Sequence, residues 1–165
     1  MSVNDTQTAP STGLTPGPAL LVRLLVGFWA VWWSVAVLAD IFDVLQELGL
    51  LGDGWPFASG NYEFLLVMVD GFALPSVAVA FVYSAGIAWK LGITLLCWLA
   101  FASVLQNPAK AQPVYRALLP ALAFFAAFLV FTELVIAYDV APTHVRLFVA
   151  TLLSLLAIEL VSTRT

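Results

Sequence analysis

Four long apolar runs, separated by short polar breaks, organise the chain. They cover residues 19–45, 75–105, 115–138 and 144–161. Their apolar positions are continuous and do not alternate, which predicts helix and not strand. Each run has the length of a membrane span, for which a helix needs ~20 residues to cross ~30 Å of hydrocarbon. Between the first two runs lies GLLGDGWPFASGNYEF, a turn-rich loop. The next stretch, EFLLVMVDGFALP, is apolar but short, and Asp70-Gly71 and Pro75 interrupt it. It reads as a short amphipathic or re-entrant helix before span two, with the opening turns of that span as an alternative. The predicted fold is therefore an all-α integral membrane protein, a four-transmembrane-helix bundle over residues 19–162. Residues 1–18, rich in Ser, Thr, Pro and Gly, read as a disordered polar tail.

Composition supports the bilayer. Of 165 residues, 62% are hydrophobic and 10% charged, where a soluble domain carries about a quarter charged residues. A net charge of −4 supplies no basic footprint for nucleic acid. The one cysteine, Cys97, excludes disulfide frameworks and CxxC pairs within one chain.

Basic residues set the orientation. Lys110 and Arg116 flank the turn between spans two and three, Arg23 opens span one and Arg164 follows span four, whereas residues 47–63 hold no Lys or Arg. Four spans then put both termini on the cytoplasmic side of a plasma or inner membrane. His144 and Arg146 fall on the opposite side. A fifth span over residues 63–82 would put the C-terminus outside.

The acids gather toward the outer end: Asp40, Asp43, Glu47, Asp53, Glu63, Asp70 and Asp139. They read first as a solvated negative rim. Asp40, Asp43 and Glu47 are spaced i, i+3, i+7 and share one helix face, which also makes them a candidate cation site. One helix face supplies too few ligands for a closed metal site.

Lys90, inside GIAWKLGITLLCW, is the costly residue. A lysine at the centre of a span costs about 2.5–3.5 kcal/mol on insertion scales. Glu133 lies seventeen residues beyond Arg116, and Lys90 sixteen before Gln106. Counted from those inner ends, both sit at roughly 24–26 Å depth, so they form the expected intramembrane ion pair. Tyr83, Gly86, Thr94 and Cys97, at i−7, i−4, i+4 and i+7 from Lys90, make a polar seam facing protein or a water-filled cavity. Beside it, Ala80, Ser84, Ala88 and Gly92 form a row of small residues suited to close helix packing, with Ala123, Ala127, Ala150 and Ser154 as counterparts. Trp29, Trp32 and Trp33 read as core or lipid contacts, or as walls for a flat apolar ligand such as a quinone. His144, the only histidine, reads as a cap or interface residue and excludes bis-histidine haem ligation in one chain. HExxH, GxSxG, P-loop and dinucleotide fingerprints are absent.

Three stretches carry a resemblance. GNYEFLLVMVD contributes Asn61, Tyr62 and Phe64. YSAGIAWKLGITLLC contributes Tyr83, Lys90 and Cys97 at sevenfold spacing, and VRLFVATLLSLL contributes Arg146 and Phe148. Over about a third of its length the chain resembles a family of bacterial small integral membrane proteins of unknown function. The resemblance implies glutamate at the Lys90 position, and it implies architecture and not an activity. Three functions fit the sequence. The first is a non-catalytic subunit or assembly factor of a larger membrane complex. The second is a small oligomeric ion or solute transporter or channel, with Lys90, Glu133 and the outer acids on its path. The third is a membrane enzyme acting on a lipid or quinone, around Lys90, Glu133, Asp40 and Asp43. The expected partners are membrane lipids and either further copies or other membrane subunits, with no cofactor.

Overall fold

Pro16 and Pro18 lie in the first turn of the first helix, α1 (Pro16–Glu47). Their missing N–H groups cost little there, because a first turn has no intrahelical acceptors for them. The computed structural model describes residues 16–52, 54–136 and 141–163. The expected tail up to residue 15, and Asp53, Asp139 and Arg164, lie outside these residues. Pro16, Gly17 and Pro18, expected in the tail, belong to α1.

After α1 come α2 (Asn61–Val69), a 3-10 turn (Asp70–Phe72), α3 (Ser76–Gln106), α4 (Gln112–Leu134) and α5 (Ala141–Ser162). Four of these, α1, α3, α4 and α5, are long and apolar enough to cross a membrane. With nine residues, α2 reaches only about 13 Å and cannot span. The chain is an all-α, four-span bundle with a short extra helix before the second span. Asn107 ends α3 in an extended conformation, as the following Pro108 requires.

The spans pack in chain order, α1 on α3, α3 on α4 and α4 on α5, while α2 wedges between α1 and α3. Near the α3–α4 turn the bundle is dry. Val22, Val26, Trp29, Ala30 and Trp33 of α1 meet Ile93, Cys97, Ala100 and Val104 of α3 and Phe124 and Phe125 of α4. Their outward neighbours are also apolar: Leu24, Phe28, Val31 and Val35 on α1, and Leu91, Leu95 and Leu99 on α3, are all exposed. Water would not tolerate so continuous an apolar surface, and lipid does. Hydroxyls inside the spans turn back on their own helices. Ser34 bonds Ala30 O, Thr94 bonds Lys90 O and Thr151 bonds Leu147 O, each at 2.8 Å.

Arg23 fixes the register of α1 against α3. Its guanidinium donates to the last carbonyls of α3, Val104 O at 3.4 Å and Leu105 O at 3.2 Å. These are orphan acceptors at a helix C-terminus, where a cation is favoured. One turn further along, Gly27 lets the Phe101 ring lie against α1. A Cβ at Gly27 would stand 3.0 Å from that ring. Gly27→Val should lower the unfolding midpoint in detergent, at a cost of about 1–3 kcal/mol. An unchanged midpoint would mean that Phe101 swings aside freely.

The small-residue row does not pack as expected. Ser84, Ala88 and Gly92 are exposed, as are Ala123, Ala127 and Ala150. The buried face of α3 is instead the stripe Ile93, Cys97, Ala100 and Val104. That stripe continues the seam through Lys90. Only Ser154 of the expected counterparts is buried, and it accepts a 3.0 Å bond from Trp29 Nε1. Trp29 and Trp33 are core residues, and Trp32 packs against that core.

Candidate functional site

The buried stripe of α1 is periodic: Val22, Val26, Trp29, Trp33, Val37, and then Asp40 and Asp43. Its last two positions are therefore acids on the inward face. Asp40 is 1% exposed and Asp43 3%, so neither belongs to a solvated rim. Glu47, Glu63 and Asp70 are exposed, as a rim predicts.

Asp40 is the partner of Lys90. Lys90 Nζ lies 2.5 Å from Asp40 Oδ2, and Asn61 Nδ2 donates to Asp40 Oδ1 at 2.8 Å. This corrects the expected Lys90–Glu133 pair. Lys90 Nζ lies 5.5 Å from the centre of the Phe124 ring, and Phe124 precedes Glu133 by nine residues, or about 13 Å of helix. About 6 Å of this gap arises because α4 begins at Gln112, four residues before Arg116. Glu133 is exposed.

Asp43 serves a different purpose. Its carboxylate accepts bonds from Gly60 N (3.1 Å), Tyr62 N (2.9 Å), Ser59 Oγ (3.1 Å) and Tyr83 Oη (2.6 Å). Gly60, at φ 66°, holds the N-cap position of α2 without a capping side chain. The first N–H groups of a helix need acceptors, and here α1 supplies them. A carboxylate at that end also suits the helix dipole. Ser59 N reaches Ala39 O at 3.1 Å, so the loop folds back along α1 to deliver α2 to this point.

The cation-site expectation for Asp40, Asp43 and Glu47 is therefore corrected. Protein donors already occupy the two buried carboxylates, and Glu47 stands apart. No group of three or more His, Cys, Asp or Glu side chains able to hold a metal occurs among the described residues. The seam is brought together in part. Tyr83 and Lys90 bond the two aspartates, Cys97 is fully buried in the dry core, and Thr94 satisfies itself on Lys90 O.

Beside this polar layer opens a cavity of about 770 Å³. Asp40, Asn61, Tyr83 and Lys90 form its polar end. Phe64 and Met68 of α2, Phe81, Gly86 and Trp89 of α3, and Phe124, Ala127, Phe128 and Phe131 of α4 line the rest, together with His144 of α5. The His144 ring stacks on Phe128 at 3.8 Å and 12°. Trp89 meets Phe124 edge-on at 5.5 Å. Phe64, Phe81 and Trp89 are exposed at the rim, so the cavity opens sideways through apolar residues. Its size falls in the range of roughly 300–1,000 Å³ common to small-molecule sites.

Comparison with protein-family models, with characterised proteins and with solved structures returns no match. Function must be argued from this geometry. In the sequence Gly60 marks only a turn, and Ser59 carries no signal. Asn61 and Tyr62 appeared only through the resemblance.

Proposed function

We propose that this polytopic membrane protein binds an amphiphilic small molecule taken laterally from the bilayer. The observation that carries this reading is the side-opening cavity, whose aromatic walls end at Lys90. An ammonium has three donors. Lys90 gives one to Asp40, which leaves two for a ligand head, while the apolar rim suits a tail that stays in lipid. Membrane lipids are then both surroundings and ligand source. Either an enzyme or a carrier could use such a site.

Mass spectrometry of the protein purified in mild detergent tests it. One amphiphile should copurify at a fixed ratio and be lost in Gly86→Leu. Space is open around a Cβ at Gly86, and leucine is a better helix former than glycine, so this variant fills the cavity while both members of the ion pair are retained. Only bulk lipid, unchanged by the substitution, would sink the proposal.

A second reading is a non-catalytic subunit or assembly factor of a larger membrane complex. The outward row of Ser84, Ala88 and Gly92 supports it, because small residues let another helix approach closely. Foreign chains at fixed stoichiometry in the same preparation would favour it. The transporter reading has less support, since Lys90 and Asp40 neutralise each other and Glu133 lies about 13 Å along α4 from their level. The orientation with both termini cytoplasmic, in the cell membrane, is supported by Lys110 and Arg116 between α3 and α4.

A further inference from the structure

Building on the amphiphile-binding reading, we infer that the cavity selects a neutral, flat, carbonyl-bearing head with an apolar tail, the chemistry of a membrane quinone. Charge decides against the common anionic amphiphiles. The polar end holds one cation, Lys90, already bound to Asp40, and a second buried carboxylate, Asp43, lies one helical turn away. A fatty-acid carboxylate or a lipid phosphate would meet two acids for one lysine. A cationic head would meet Lys90 first, because both oxygens of Asp40 already accept bonds from Asn61 and Lys90.

A neutral acceptor fits what remains. Lys90 keeps two N–H groups, and Asn61 keeps one amide N–H and its oxygen. The carbonyl of a quinone can accept from Lys90, and the hydroxyl of the corresponding quinol, as a ligand in its own right, can donate to the Asn61 oxygen. The walls set the shape of the head. Lys90 Nζ stands over the Phe124 ring, 5.5 Å from its centre, so its remaining donors lie beside the aromatic wall of the cavity, where they can meet a carbonyl at the edge of a flat head. The Phe128–His144 stack supplies a flat aromatic surface, and planar rings pack offset-stacked or edge to face. Beyond them the exposed rim of Phe64, Phe81 and Trp89 lets a tail run into lipid.

The test uses the full chain in nanodiscs of neutral lipid, with decyl-benzoquinone as probe and oleate and lysophosphatidic acid as competitors. Trp89 lines the cavity, so binding is read as saturable quenching of tryptophan emission. The quinone should bind saturably and resist both anions. Affinity should fall roughly tenfold or more in Lys90→Met, which removes a charged hydrogen bond, and similarly in Gly86→Leu, which keeps the ion pair and protects the test against misfolding of the first variant. Displacement by oleate or lysophosphatidic acid, or their binding in place of the quinone, would overturn the head assignment and leave the cavity reading standing. Absence of saturable binding by any probe, with no copurifying amphiphile, would overturn both.

Discussion

Lys90→Met should be the most damaging single change in the polar layer, at about 3–5 kcal/mol. It strands Asp40, 1% exposed, with only Asn61 as partner. Asp40→Asn should cost less, about 1–3 kcal/mol, because Lys90 is 18% exposed and lines the open cavity. The double variant should be more stable than Lys90→Met alone, because no buried charge is left behind. Reversible unfolding in detergent, run as a double-mutant cycle, reads the difference directly. Coupling above ~1 kcal/mol is expected for residues in direct contact. Glu133→Gln should stay within about 0.5 kcal/mol, as for an exposed side chain. Additive effects of the Lys90 and Asp40 changes would sink the pairing, and a large effect at Glu133 would restore the depth argument made from the sequence.

Asp43→Ala should release α2 while the four spans stay assembled. Four donors converge on this carboxylate, two of them backbone N–H groups at the start of α2. Losing them costs a few kcal/mol at most, because an undocked α2 can find other partners. Amide exchange over residues 60–66 should accelerate on the order of 100-fold, the equivalent of ~3 kcal/mol of local opening. Exchange in α3 and α4 should change little. Since α2 forms one wall of the cavity, any ligand signal should vanish as well. Unchanged exchange in α2 would show that hydrophobic contacts, and not Asp43, hold it in place.

Much of the fold was legible because membrane physics leaves few choices. Continuous apolar runs of span length have to be helices in lipid, and four of them are. The site was legible only in part. Lys90, Asp40 and Tyr83 were all singled out, but the partners were assigned wrongly. Depth had been counted from Arg116, although α4 starts at Gln112. Counting from Arg23 gives Asp40 the same depth that Arg116 gives Glu133, seventeen residues, so depth alone does not separate the two acids. Arg23 sits level with Val104 and Leu105, which puts Asp40 seventeen residues up α1 and Lys90 fourteen to fifteen residues up α3. The usable signal was the 3.6-residue stripe of α1, which runs through Trp33 and Val37 directly to Asp40. The contribution of Ser59 and Gly60 was not readable, because it depends on a loop folding back along α1, and loop paths leave no periodicity. The small-residue row misled for a related reason. Such rows mark where a helix can pack closely, and nothing in them says that the neighbour belongs to the same chain.

The aspartates at the end of the α1 stripe also bear on how the protein is made. Lys90 lies fifty residues after Asp40, so α1 leaves the ribosome before its neutralising charge has been synthesised. An aspartate weighs about 2.5–3.5 kcal/mol against insertion at the centre of a helix and less toward its end, where Asp40 and Asp43 lie, and the long apolar remainder of α1 has to carry that load alone. Only when α3 follows does Asp40 gain its countercharge and Asp43 the Tyr83 hydroxyl, which makes α1 and α3, and not α1 by itself, the natural unit of biogenesis.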